Sequence, residues 1–184
     1  TTYKDNRFLP EDYIRALEEK ARTNYVYYRI YALGEFASLD KLVFSNWKVE
    51  DFDYTKLVGE LAVGMDFGFV NDVSTIVASV INEEAKTIHI FKTWGDTNKT
   101  NEELAAIITS LGFRKSVIIA DAAEPKSIEE IKRQGVQRIK ACTKGPDSIL
   151  HGIQKLQQYT IYVHSSCGGI ITEFENYAWQ KDKK

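Results

Sequence analysis

The feature that most constrains this chain is a change of period in its apolar residues. Side chains alternate across a strand with period 2 and recur around a helix with period 3.6, so a switch between the two dictates the order of elements. Residues 61–67, 74–81 and 87–94 are expected strands, rich in Val and Ile and joined by turns short enough for an antiparallel meander. Helical spacing then takes over at 100–111, with Thr100 as N-cap, Glu103 completing a capping box and Gly112 as the stop. The run Val117-Ile118-Ile119-Ala120, within 116–120, predicts a strand buried on both faces of a parallel pairing and ending at Asp121. After it come a helix over 125–134, opened by Pro125 and stopped by Gly135, a short strand over 138–141 and a helix over 146–158. A last strand over 161–163 and a last helix over 170–179 complete the pattern.

Three strands followed by alternation of helix and strand is the order of the ribonuclease H-like fold. This predicts an α/β architecture: a mixed sheet, meander first, with helices on both faces. The first strand of that fold lies centrally, beside the strand that follows the first helix. Asp66, within or at the end of the first, and Asp121, closing the fourth, are therefore expected to converge. The stretch Gly64-Met65-Asp66-Phe67-Gly68-Phe69 is apolar apart from one carboxylate, and a buried carboxylate is costly unless it meets a cation or a donor. Facing carboxylates repel unless a divalent cation lies between them, and Mg²⁺ or Mn²⁺ favours such hard oxygen ligands. Pairs of these ions, about 3.5–4 Å apart, promote phosphodiester hydrolysis. Two unrelated strand-end aspartates, each capping its own turn, are the alternative. Gly64 and Gly68 imply that backbone or a ligand comes close.

With 184 residues, 43% of them hydrophobic, the chain can build a real core. A net charge of -2 excludes an overall basic nucleic-acid glove, so any DNA contact is local. From Arg114 to Lys144 basic residues outnumber acidic ones eight to four, and Lys126, Lys140 and Lys144 are the candidates for DNA phosphates. Thr143-Lys144-Gly145-Pro146 lacks the spacing of a phosphate-binding P-loop. His89, His151 and His164 share no metal-ligand spacing and receive no catalytic role. Cys142 and Cys167 read as plain thiols suited to a reducing cytoplasm. The sequence has neither an apolar run of membrane-spanning length nor a secretion signal pattern. Upstream, 1–24 reads as an amphipathic helix, 25–33 as a second helical run ended by Gly34, and 43–54 as an extended aromatic and acidic connector, with a boundary near 57–60. A start at Thr1 reads as a fragment of a longer polypeptide.

Gly64-Met65-Asp66-Phe67-Gly68-Phe69 followed by Asn71-Asp72, Ile119-Ala120-Asp121 with Glu124-Pro125-Lys126-Ser127-Ile128, and the lead-in Tyr31-Ala32-Leu33-Gly34-Glu35-Phe36 together resemble the large terminase subunit of tailed bacteriophages. The similarity is to the nuclease half, of the headful-packaging type with Gram-positive hosts. The resemblance implies that 1–60 is a helical and extended connector from a preceding ATPase region. Residues 61–184 would then be a ribonuclease H-like nuclease domain lacking its C-terminal end. It implies an endonuclease that cuts double-stranded concatemeric viral DNA during packaging, with low sequence specificity, in the host cytoplasm. Asp66 and Asp121 match the first two acids that bind Mg²⁺ or Mn²⁺, two ions being expected. The family's third ligand has no counterpart and is expected beyond Lys184. Glu173 and Glu175 fit surface charges better than that role. The implied partners are double-stranded DNA, the ATPase domain of the same polypeptide, the portal protein and the small terminase subunit. The rival readings are a non-catalytic docking module of a packaging motor and another enzyme on a related core. A junction resolvase or a phosphotransferase would be such an enzyme, although the second phosphate loop that a phosphotransferase needs is missing.

Overall fold

A computed structural model describes residues 2–23, 28–34, 42–68 and 72–179. Contacts divide the chain into two compact units, Asn46–Gly169 and a second one made of Thr1–Ser45 with Ile170–Lys184.

The larger unit is built on a seven-stranded mixed sheet in the order β1-β7-β4-β3-β2-β5-β6. Its centre is the expected meander: β2 (Glu60–Asp66), β3 (Ser74–Asn82) and β4 (Thr87–Asp96) run antiparallel in sequence. Asn82 Oδ1 accepts the Ala85 N–H (2.9 Å) in the turn from β3 to β4, where Lys86 takes a φ of 52°. The chain then crosses over through α2 (Asn101–Ser110) to β5 (Ile118–Ala120), which pairs parallel with β2 on the side away from β3. A parallel neighbour needs such a crossover, because a tight turn can only reverse the chain. The capping box forms at the head of α2: the Thr100 hydroxyl accepts from Glu103 N (3.2 Å) and the Glu103 carboxylate from Thr100 N (2.8 Å). α3 (Pro125–Arg133) and β6 (Ile139–Ala141) repeat the step outward, and α4 (Ser148–Leu156) leads to β7 (Thr160–Val163) on the far side of β4.

Two strand expectations need correction. The segment 43–54, expected as a connector, contains a strand, β1 (Trp47–Val49), which extends the sheet by pairing parallel with β7. Such a pairing joins residues far apart in sequence, and three residues carry too little period to announce it. The fourth strand of the expected order, β5, is buried on one face only. Ile118 and Ala120 are sealed, whereas Ile119 is 39% exposed.

The core explains that asymmetry. Val63 and Met65 of β2, Ile76 and Ala78 of β3, and Ile118 and Ala120 of β5 face Leu104 and Ile108 of α2 and Ile128 and Ile131 of α3. Alternation then sends Gly64, Asp66 and Ile119 to the opposite face, where all three are exposed.

In the smaller unit, α1 (Glu11–Thr23) supplies Leu17 to a cluster with Tyr3 and Ala32. Of the second helical run, Tyr28–Ala32 form a π-helical turn; residues 24–27 and 35–41 lie outside the described residues. Asn71 of the sequence resemblance and 180–184 are outside them too. The last helix, α5 (Gly168–Asn176), starts and stops slightly earlier than expected.

Candidate active site

Asp66 is the last residue of β2, and Asp121 follows directly after β5. Met65 pairs with Ala120, and the Asp121 N–H donates to the Met65 carbonyl (3.2 Å), so parallel pairing carries on one step past the end of β5. The two aspartates thus occupy neighbouring positions on strands about 4.8 Å apart. Both point away from the core, since Met65 and Ala120 point into it. Asp66 is exposed, which corrects its reading as a buried mid-strand acid: strand alternation and the end of the sheet place it on a wet face.

An open cleft of about 430 Å³ gathers Asp66, Asp121, Thr75, Gly64, Ile119 and Lys144. Thr75 stands directly across the antiparallel pair from Asp66. Asp121 Oδ1 accepts from Ala123 N (3.1 Å) and meets Lys144 Nζ at 2.6 Å. Lys144, then the Ala123 N–H, hold this carboxyl below its ordinary titration range, and Asp121 in turn raises the Lys144 ammonium. Lys144 also feels Asp66, more weakly. The Cys142 N–H donates to the Ala120 carbonyl (2.7 Å), which brings the segment after β6 beside Asp121.

The chemistry of these donors suits a hard divalent cation. Two carboxylates on one open face can each give an oxygen and leave room for the waters such an ion keeps. Among the described residues no group of three or more His, Cys, Asp or Glu side chains could hold a metal, so the pair is a partial ligand set.

Residues 66–184 match the family described as Terminase RNAseH like domain, and residues 1–35 match the family Phage terminase large subunit. The chain belongs to the terminase RNase H-like domain family. The resemblance drawn from its motifs is thereby borne out. The PBSX phage terminase large subunit of Bacillus subtilis strain 168 is 29% identical over 190 residues, covering 100% of this chain and 44% of the relative. The large terminase subunit of Bacillus phage SPP1 is 30% identical over 190 residues, covering 100% of this chain and 45% of the relative. The chain therefore spans a little under half the length of these relatives. The crystal structure of the SPP1 large terminase nuclease domain, with bound Mn, superposes with a TM-score of 0.70 at 28% identity, over 76% of this chain and 83% of that one.

Within this terminase domain the expected DNA-contact residues fall at different places. Lys140 pairs in register with Ile119 and is exposed, so it shares the open face with the two acids. Lys144 is in the cleft itself, on Asp121. Lys126 is exposed in the first turn of α3 and does not line the cleft. None of the three histidines lines it either: His89 stacks on Tyr162 at 4.5 Å, His164 Nδ1 lies 2.8 Å from Ser166 Oγ, and His151 is exposed on α4. Glu173 is exposed and Glu175 half-buried on α5. Sequence reasoning missed Thr75 and Ile119, whose place follows only from pairing. It assigned Lys144 to DNA, whereas in the fold this lysine meets the Asp121 carboxylate.

Proposed function

We propose that the cleft is the active site of a divalent-metal-dependent endonuclease that cuts double-stranded, concatemeric viral DNA during genome packaging, with low sequence specificity. The observation that carries this reading is the placement of Asp66 and Asp121 at adjacent register positions on one open face, within a family of terminase ribonuclease H-like domains. Asp66 and Asp121 would hold Mg²⁺ or Mn²⁺, in a two-ion arrangement completed by a third ligand from outside the described cleft. The ions would supply water activation and charge neutralisation at the leaving 3′ oxygen.

The chain's own residues prepare the ground. Asp121 is oriented by the Ala123 N–H and by Lys144, so its free oxygen is directed before DNA arrives. Lys144 can exchange its carboxylate for a DNA phosphate, because both are anionic oxygen acceptors. Lys140 and Lys144 suit phosphate oxygens, so affinity would rest on the DNA backbone and recognition would be weakly sequence dependent. No side-chain nucleophile is required.

Residues 1–60 would join this domain to a preceding ATPase region, consistent with the match of 1–35 and with the length of the relatives. Portal protein and small terminase subunit would be the partners, and the host cytoplasm the place of action. Among the described residues no helix is long and apolar enough to cross a membrane.

The test is supercoiled plasmid with Mn²⁺, Mg²⁺ or chelator, beside Asp66→Ala and Asp121→Ala. Nicking and linearisation that need metal and vanish in both variants, with unchanged melting temperatures, are expected. Cutting that survives chelation, or survives both substitutions, would overturn the assignment.

A further inference from the structure

Gly64 and Gly68 flank the same aspartate, yet the structure separates their reasons for being glycine. A Cβ on Gly68 would collide with the backbone of Asp72 and Val73, so the close approach of the chain entering β3 requires glycine there. Gly64 lies in the interior of β2, between β3 and β5, where glycine costs stability and packs nothing. Its backbone does not adopt a positive φ, and a Cβ there would meet nothing within 4 Å. No contact among the described residues asks for glycine at position 64.

The neighbours point outward to a ligand. Gly64 pairs with Val77 on one side and Ile119 on the other, and Ile119 pairs with Lys140. This row crosses the open face one alternation step, about 7 Å, behind the row that carries Asp66 and Asp121. It runs from an apolar floor, where Ile119 is 39% exposed, to the exposed cation of Lys140. An apolar floor ending in a lysine suits a sugar with its phosphate.

We propose that Gly64 is the clearance residue of the cleft: it lets the deoxyribose next to the scissile phosphate settle on Val77 and Ile119, with the adjoining phosphate at Lys140. This rests on the nuclease reading above and adds to it the path of the strand. A side chain at 64 would stand where the sugar lies, which makes Gly64 a positioning residue for DNA and not a fold requirement.

The test measures the full chain, with Gly64→Ala, Gly64→Val and Gly64→Leu, for melting temperature and for binding of a short fluorescein-labelled duplex in chelator across a range of salt. Melting temperatures at or above wild type are expected, because valine suits a strand better than glycine. Duplex affinity should fall in steps with side-chain size, by about tenfold or more at valine. Lys140→Gln should reduce the slope of log affinity against log salt by about one. Affinity unchanged across the glycine series, or a melting temperature that falls with it, overturns the proposal while plasmid cutting by wild type leaves the nuclease reading standing. A wild type that neither binds duplex nor cuts plasmid with metal overturns both.

Discussion

Lys144 Nζ stands 2.6 Å from Asp121 Oδ1, in the cleft that Asp121 shares with Asp66. A lysine thus sits as a tethered cation beside two carboxylates. Lys144→Met should let the Asp121 carboxyl titrate closer to its ordinary range, measured by carboxyl carbon NMR, because its largest stabilising partner is gone. Calorimetry should show Mn²⁺ bound roughly severalfold more tightly by the variant, since a positive charge near the ion no longer opposes it.

Glu83 carries the most depressed carboxyl of the described residues, at about 2 against an ordinary 4.5. Tyr159, Lys86 and Lys155 all donate to it, tying the β3–β4 turn to the entry of β7. A carboxyl lowered on folding stabilises the protein above its unfolded value, and that contribution drains away as pH falls from about 4.5 toward 2. Glu83→Gln should therefore melt below wild type at pH 7, and the gap should close across that acid window in thermal scans.

Ile118 is fully buried between Val63 and Ile139 in register and lies three residues before Asp121. Ile118→Ala should cost about 2–5 kcal/mol in denaturant unfolding, from lost burial and the cavity left behind. Plasmid cutting should drop as well, because the strand that presents Asp121 loses its anchor.

Gly68→Ala should destabilise the chain by about 1–3 kcal/mol, since the added methyl meets backbone that cannot move aside. Chemical unfolding beside Gly64→Ala checks the contrast: two glycines in one motif, with stability falling only at position 68.

How much of this was legible in the sequence differs from residue to residue. The strands over 60–96, the capped helix after Thr100 and the proline-led helix at 125 were all readable, as was the approach of Asp66 and Asp121 from neighbouring strands. The elements depend on period and caps, which a stretch of about ten residues already specifies, and the approach of the two acids depends on the order of those elements along the chain. The three residues of β1 were not legible, because their partner β7 lies more than a hundred positions away and pairing strength resides in the sheet. Nor could the sequence tell that Ile119 is open while Ile118 is sealed. That depends on α2 and α3 covering one face of β5 and leaving the other to the cleft. The same limit hid the partner of Lys144 and the different reasons for Gly64 and Gly68. Chemistry along the chain named the residues; only the packing of distant segments decided which of them face water, which face each other and which leave room for something else.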